Sequence, residues 1–221
     1  MVHTKRQEVP RNWPIERKGS TFIVRPFRSL EEGVPVLVVL RDMLKMAQNR
    51  KEAKKIIYNK KVTLNGKQIK NEKNAVLLFD VISLVPVKKS YKLDLDKKGK
   101  FILKEIPEKE ANKKISKVQG KKVLKGKKSQ LNLSDGRNFN SEIKCQINDS
   151  VIVDLDKKQL EKCLSLKKGS KVLVFAGKHA GKRGSIENIN NERKMADINV
   201  SEENSEEEKV SALIKQIIII E

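Results

Sequence analysis

The apolar residues of this chain come in short runs of Val, Ile and Leu that turn residues interrupt. Aromatic side chains make up only 4% of the 221 residues, so a core must be built from aliphatic side chains. Hydrophobic residues of all kinds reach 38%, which is enough for a core. Because short aliphatic runs fit small modules better than one deep core, we expect several small modules along the chain.

Basic residues greatly outnumber acidic residues, and the excess lies in one part of the chain. There are 49 Lys and Arg against 28 Asp and Glu, a net charge of +21. Residues 1–128 contain 34 of these basic and 13 of these acidic residues, so they hold the whole excess and residues 129–221 are neutral. Repulsion among so many excess positive charges opposes a compact state, and binding to a polyanion relieves this repulsion. RNA or DNA is the usual polyanion, and an anionic membrane surface is the other candidate.

Several other classes of function are not expected. No apolar run is long enough to span a bilayer and the N-terminus has no secretory leader, so we expect the protein to stay in the compartment where it is made. No acid, base and nucleophile come together as in an enzyme, which also argues against a small-molecule substrate. Cys145, Cys163, His3 and His179 lack the paired spacing of a zinc site, so neither a metal nor a cofactor is expected. A disulfide between the cysteines stays open, but two buried thiols are the expectation without an export signal.

Residues 1–33 have the composition of an extended basic arm. Three prolines and two glycines disfavour regular structure beyond a short strand at residues 21–25. Trp13 either packs as an apolar anchor for the arm or stacks on a base, and the anchor is the favoured interpretation. The candidate contacts with RNA in the arm are Lys5, Arg6, Arg11, Trp13 and Arg17.

Two helices are expected next. Residues 36–40 alone would suit a strand, but the apolar spacing continues through Ala47, so residues 34–48 are predicted as a helix. Asn49, followed three residues later by Glu52, forms a capping-box pattern, which predicts a second helix over residues 50–60.

The second helix has one apolar face and one cationic face. At 100° per residue, Ala53, Ile56 and Ile57 share one side, and the other side carries Arg50, Lys51, Lys54 and Lys55 around Tyr58. A merely soluble helix would mix Glu with Lys on that side, so four like charges indicate bound phosphates. Tyr58 either lies against a ribose or base or packs under the lysine stems. Further candidate RNA contacts from this region are Arg41, Lys60, Lys61 and Lys67.

Strands are expected after the helices. Asn65-Gly66 between two short β-prone runs predicts a hairpin, and residues 75–85 are predicted as a buried strand pair or one long strand. Residues 86–168 contain several short β runs separated by turns, which indicates a small all-β domain. Asp135 lies next to Gly136 with no catalytic partner nearby, so we expect it to fix a turn.

The densest basic stretch runs from residue 113 to residue 128, with eight lysines and no acidic residue. Charge runs are often only solvated loops, but the neighbouring segments are basic too, which favours an RNA-contacting strand or loop. The candidate residues from this stretch are Lys121, Lys122, Lys125, Lys127 and Lys128.

Residues 169–221 begin with a loop in which three glycines surround cations. The loop lacks the spacing of a nucleotide-binding loop, so strand, loop and strand suit a small β-barrel hairpin. Its glycines either make only a tight hairpin or let the backbone approach a phosphate, and the second interpretation is slightly favoured. The candidates are Lys178, His179, Lys182 and Arg183. The acidic run 202–208 should avoid RNA and face solvent or a basic protein neighbour, and residues 217–220 suit a closing strand.

Four segments in order resemble the archaeal and eukaryotic small-subunit ribosomal protein S4e family. They are KRQEVPRNWPIERKGSTFIVRP in the arm, VLVVLRDMLKMAQNRKEAKKIIYNKKVTLNGKQI in an S4 RNA-binding domain, SQLNLSDGRNF in the central domain and GSKVLVFAGKHAGKRGSIENI in a KOW motif. Two departures are FRSLEEG, which is shorter and more acidic than the family's loop after the arm, and the absence of the eukaryotic C-terminal extension. The resemblance is therefore to an archaeal-type member.

The resemblance implies an α+β fold with four modules. These are the arm at 1–33, the S4-type RNA-binding domain at 34–85, the central all-β domain at 86–168 and a KOW-type small β-barrel at 169–221. It also implies a structural constituent of the cytoplasmic small ribosomal subunit that binds small-subunit ribosomal RNA and neighbouring ribosomal proteins, and that supports assembly and translation without a cofactor or a membrane. The alternative is a free RNA-acting factor, either an RNA-modifying enzyme with an S4 domain or a transcription factor with a KOW motif.

Overall fold

The computed structural model describes residues 4–124, 129–141, 143–200 and 208–220. It is mostly β, with few and short helices. The chain forms two compact units, one of Met1–Asp96 with Lys100–Asn112 and the other of Lys97–Gly99 with Lys113–Glu221. Within the described ranges, no helix is long and apolar enough to cross a membrane.

Residues 4–33 have little regular structure, as predicted, but they fold back on themselves and are not extended. Strand β1 (Thr4–Lys5) pairs with β2 (Phe22–Ile23), which confirms a short strand near residues 21–25. Trp13 is only 2% exposed, and its indole nitrogen donates to the Leu30 carbonyl at 2.9 Å. The interpretation of Trp13 as an anchor is therefore confirmed, because a buried ring offers no face to a base.

The first predicted helix is present but shorter than expected. Strand β3 (Gly33–Pro35) pairs with β6 (Ala75–Leu77), and the chain then enters helix α1 (Val36–Val38), which continues as a π-helical turn over Val39–Met43. The apolar run from Val36 to Leu40 is buried on all sides. This complete burial explains why the run is apolar at every position and why its pattern alone did not distinguish a helix from a strand.

The second helix, α2 (Arg50–Tyr58), begins where the sequence predicted. The Asn49 side-chain oxygen accepts from the Glu52 amide at 3.0 Å, and its side-chain nitrogen donates to the Glu52 carboxylate at 2.8 Å. The first of these contacts satisfies one of the unpaired amides at the start of the helix, as an N-cap does, and the second joins the two side chains. Ala53 and Ile57 are buried on the inner face.

A five-stranded antiparallel sheet completes the first unit. Its order is β5 (Lys67–Gln68), β4 (Val62–Leu64), β7 (Val81–Leu84), β8 (Lys89–Leu95) and β9 (Phe101–Ile106), and helix α3 (Glu108–Ala111) follows. The hairpin predicted at Asn65-Gly66 is confirmed, and both turn residues have positive φ, 51° and 72°. Residues 75–85 form neither one strand nor a pair, because β6 pairs with β3 while β7 pairs with β4 and β8.

The second unit contains two further antiparallel sheets. The first has the order β12 (Asn138–Ser141), β11 (Ser129–Leu133), β10 (Lys113–Val123), β13 (Ser150–Asp154) and β14 (Gln159–Leu164). The second has the order β18 (Glu208–Leu213), β17 (Met195–Val200), β16 (Arg183–Asn190), β15 (Lys171–Val174) and β19 (Ile217–Ile219). The isoleucine run forms a strand, as predicted, and β19 lies at one edge of this sheet, paired with β15.

The cores of these two sheets are aliphatic, as the shortage of aromatic residues requires. One cluster contains Val118, Leu131, Val151 and Val153 with Cys145, and a separate cluster is built on Val172, Ile186, Ile198 and Ile217. The expectation of two free thiols is wrong, because the structure joins Cys145 and Cys163 in a disulfide, with Cα atoms 6.1 Å apart. Cys163 lies on β14 opposite Val151, which brings it to the core cluster that contains Cys145.

Candidate nucleic-acid interface

The cationic face of α2 is only partly free of acidic partners. Lys51 and Lys55 are exposed, and no acidic side chain within the described ranges lies at ion-pair distance from either. Arg50 and Lys54 instead approach the Glu72 carboxylate, at 2.6 Å and 3.6 Å. The prediction of four unpaired cations is therefore wrong for two of them, and the free charge of the helix is concentrated at Lys51 and Lys55.

Glu72 is the residue that the sequence reasoning missed. It is 7% exposed, and one of its oxygens accepts from both Nε and Nη2 of Arg50, at 3.2 Å and 2.6 Å. Burial alone would raise the pKa of Glu72, but the hydrogen bond from Arg50 and the charges of Lys54 and Arg50 outweigh burial and lower it. A signal existed in the sequence, because Glu72 is the only acidic residue between Glu52 and Asp80 in a strongly basic segment.

The residues that follow α2 extend its exposed cationic surface. Lys60 turns the chain with a φ of +54°, and Lys60, Lys61 and Lys67 are all exposed. Tyr58 is 86% exposed, so the interpretation that it packs under lysine stems is wrong. Arg41 is less available than expected, because its guanidinium donates to both carboxylate oxygens of Asp42, at 3.0 Å and 2.8 Å.

The lysine-rich strand β10 divides its charges between the interior and the surface. Lys114 is 2% exposed and pairs at 2.9 Å with Asp135, which also accepts from the Ser116 hydroxyl and the Arg137 amide. Burial would raise the pKa of Asp135, but the charge and hydrogen bond of Lys114 outweigh it and lower the pKa. Asp135 thus does more than fix its turn, since it neutralises a lysine inside the sheet.

Lys117 is also buried, although it belongs to the stretch predicted to contact RNA. It is 5% exposed, and its ammonium donates to the carbonyl oxygens of Ile214 and Ile217, the latter at 2.7 Å. Burial lowers the pKa of Lys117 from 10.5 to about 8. Farther along β10, the Lys121 ammonium donates to the Cys145 carbonyl at 3.3 Å and Lys122 is exposed. Predicted contacts Lys125, Lys127 and Lys128 lie outside the described residues.

The glycine loop between β15 and β16 is a tight hairpin with charges at its surface. Gly177 and Gly181 have φ of +88° and +93°, so these two glycines are required by the turn. Gly184 has a different role, because a Cβ there would collide with the Asn199 carbonyl of β17. Lys178 and Arg183 are exposed, whereas Lys182 pairs with Glu208. Of the acidic run 202–208, only Glu208 lies within the described residues, and its pKa is lowered chiefly by the hydrogen bond from Lys182.

Comparison with known proteins extends over nearly the whole chain. The model of the ribosomal family S4e matches residues 87–160, and that of the RS4NT (NUC023) domain matches residues 2–27. The small ribosomal subunit protein eS4 of Methanocella arvoryzae is 38% identical over 190 residues, covering 85% of this chain and 80% of that protein. The eS4 protein of Archaeoglobus fulgidus is 33% identical over 221 residues, covering 99% and 93%.

This chain belongs to the S4e family. The crystal structure of the 30S ribosomal protein S4e from Thermoplasma acidophilum has the same fold, with a TM-score of 0.71 and 26% identity over 86% of this chain and 95% of that one.

The arm of this S4e-family chain presents fewer cations than the sequence suggested. Arg6 is less available to RNA, because its guanidinium donates to the carbonyls of Ser20 at 2.8 Å and Glu16 at 2.5 Å. Lys5, Arg11 and Arg17 are exposed. Trp13 is removed from the candidate contacts because its ring is buried. The exposed candidates therefore fall into three groups, on the arm, around α2 and on the glycine loop, with Lys121 and Lys122 on β10.

Proposed function

We propose that this chain is a structural constituent of the archaeal-type small ribosomal subunit, with small-subunit ribosomal RNA and neighbouring ribosomal proteins as its partners. Membership in the S4e family is the main support for this proposal. The same membership favours a ribosomal component over a free RNA-modifying enzyme or transcription factor. The protein is not an enzyme and acts in the ribosome of the cytoplasm. The excess of positive charge in residues 1–128 supports RNA as the main ligand.

The proposed modules follow the order of the family resemblance. Residues 1–33 are the arm, 34–85 the S4-type RNA-binding domain, 86–168 the central β domain and 169–221 the KOW-type domain. The boundary at residue 85 does not separate sheets, because β8 and β9 share a sheet with β4 and β7. The capped helix, the Asn65-Gly66 hairpin and strand β7 support the second module. The pairing of β15 with β16 around a glycine loop, and of β15 with β19, supports the fourth.

The principal RNA-binding surface is the one around α2. Lys51, Lys55, Lys60, Lys61 and Lys67 are exposed there. Each ammonium that neutralises a phosphate releases counterions, so every such contact adds about 0.7–0.9 to the salt dependence of binding. Arg50 and Lys54 keep exposed stems but share the charge of Glu72, so they contribute less than the other cations.

Secondary contacts come from the other exposed groups. On β10 they are Lys121 and Lys122, and on the glycine loop Lys178 and Arg183, with the half-buried His179 as a further candidate. Lys5, Arg11 and Arg17 contribute from the arm. Lys182 is neutralised by Glu208 and is the weakest of the loop's candidates.

A charge-matched pair of variants tests the proposal. The first carries Lys51→Glu and Lys55→Glu, and the control carries Lys157→Glu and Lys158→Glu, which are exposed on the β13–β14 turn and change the net charge equally. Tagged copies are expressed in cells, and their occupancy of small subunits is measured by sucrose-gradient fractionation and mass spectrometry. The control should enter subunits at wild-type stoichiometry and survive moderate salt, while the α2 variant should be depleted.

Binding of the purified proteins to small-subunit ribosomal RNA is then measured at several salt concentrations. We expect the α2 variant to lose about two units of salt slope relative to the control. Equal loss of binding in both variants would mean that only net charge matters, and wild-type occupancy of the α2 variant would contradict the proposed surface. A wild-type protein that is sub-stoichiometric with subunits would contradict the ribosomal role itself.

A further inference from the structure

Tyr58 is the most exposed large hydrophobic side chain in the described part of the chain. It is 86% exposed, compared with 71% for Val123 and 65% for Phe27. It occupies the last residue of α2, away from the face on which Ala53 and Ile57 are buried. The ring is thus not needed by the core, and both of its faces are accessible to a ligand.

Exposed lysines without an acidic partner among the described residues flank this ring on both sides along the chain. Lys55 and Lys51 precede Tyr58 by three and seven residues, a spacing that places them on the same side of the helix. Lys60 and Lys61 follow it, and their amides bond back to the Ile57 and Ile56 carbonyls at 2.9 Å and 3.3 Å, so the chain turns directly after the ring. Lys54, four residues before Tyr58, does not belong to this set, because its ammonium lies 3.6 Å from the Glu72 carboxylate.

An aromatic ring between two pairs of exposed lysines fits a particular form of RNA. In an A-form duplex the base faces are covered by their neighbours, so a protein ring cannot stack on them. Unpaired nucleotides expose a base face, and proteins bind them with aromatic rings while cations follow the backbone. A surface meant only for duplex phosphates would need the lysines but not the ring.

We propose that Tyr58 stacks on one unpaired nucleobase, with Lys51 and Lys55 on one side and Lys60 and Lys61 on the other neutralising the adjacent phosphates. This inference rests on the proposed function, because it specifies which RNA element the α2 surface recognises. The tyrosine hydroxyl has no part in the stacking. The interaction is therefore a property of the ring and independent of salt, whereas the lysine contacts depend on salt.

Three variants of the full chain separate these contributions. Tyr58→Phe keeps the ring, Tyr58→Leu removes it while keeping an apolar side chain, and Lys55→Gln removes one charge. Binding to small-subunit ribosomal RNA from the source cells is measured by filter retention over a range of salt concentrations. Tyr58→Leu should bind roughly 5- to 150-fold more weakly at every salt concentration, with an unchanged salt slope. Tyr58→Phe should stay near wild type, and Lys55→Gln should lower the slope by about 0.7–0.9.

Ultraviolet cross-linking with mass spectrometry gives a second readout. The peptide that contains Tyr58 should cross-link to a nucleotide that chemical probing finds unpaired in the free RNA. Wild-type affinity of Tyr58→Leu, equal weakening by Tyr58→Leu and Tyr58→Phe, or a cross-link only to paired nucleotides or to protein would each overturn the stacking. If Lys51→Glu with Lys55→Glu still abolishes binding in that case, the proposed function stands and only this inference fails. If neither set of variants alters RNA binding, both fail.

Discussion

Lys117 allows a quantitative prediction about how stability depends on pH. Burial lowers its pKa from 10.5 to about 8, and one pKa unit corresponds to about 1.4 kcal/mol. Because the folded pKa is the lower one, the unfolded chain binds more protons between these values, and the free energy of unfolding rises with pH across this window. The gain amounts to about 3 kcal/mol at most, since the Ile214 and Ile217 carbonyls favour the charged ammonium and oppose the effect of burial. Below about pH 8 both states hold the proton, and the cost of burying the charge is fully present.

The assay compares wild type with Lys117→Met and Lys122→Met in denaturant unfolding between pH 7 and 10.5. Lys122 lies exposed on the same strand, so its substitution removes a charge without removing a buried one. The difference in unfolding free energy between wild type and Lys117→Met should shift in favour of wild type as pH rises through the window, and the difference between wild type and Lys122→Met should stay constant. A constant difference for Lys117→Met would refute the reasoning. The same variants should behave oppositely toward RNA, where only Lys122→Met lowers the salt slope.

Three further outcomes follow from particular contacts. Asn49→Ala should lower the unfolding free energy by about 1 kcal/mol because α2 loses its N-cap, and an unchanged denaturation midpoint would contradict this. Glu72→Gln should steepen the salt dependence of RNA binding by up to about one unit, because Arg50 and Lys54 then become available to phosphates. A shallower salt dependence would mean that Glu72 serves to orient Arg50. Gly184→Ala should lower the free energy of unfolding by about 1–3 kcal/mol, because the new Cβ collides with the Asn199 carbonyl. Gly120→Ala should be tolerated, because its Cβ meets no atom nearer than 3.6 Å. Equal effects of the two substitutions in thermal denaturation would be inconsistent with the strand packing.

The features that the sequence predicted well are determined by neighbouring residues. The start of α2 depends on Asn49 and Glu52, which are three residues apart and bond to each other. The hairpin depends on Asn65-Gly66, because these residues readily adopt the positive φ of a two-residue turn. Local chemistry of this kind can be inferred without knowing the rest of the fold.

The features that the sequence missed depend on distant partners. The Lys117 ammonium is buried against carbonyls about a hundred residues later in the chain. The Lys114 ammonium bonds to Asp135, which lies in the turn between β11 and β12. Glu72 approaches Arg50 from 22 residues away. Residues 75–85 divide between two sheets because the partners of β6 and β7 lie in different segments. A count of charges or of β-prone residues does not say which of these residues pair with one another.

The distribution of ion pairs also determines how the surplus charge can act on RNA. An internal pair such as Lys114 with Asp135 removes one charge of each sign, so it leaves the surplus of +21 unchanged. The surplus must then reside on cations without acidic partners, and those on the surface, such as Lys51 and Lys55, both attract RNA over long range and make contacts with it. Net charge governs the attraction, while the position of each ammonium governs the contact. A charge reversal far from the contacts lowers the net charge as much as one within them but removes no contact, so a charge-matched comparison identifies the binding surface.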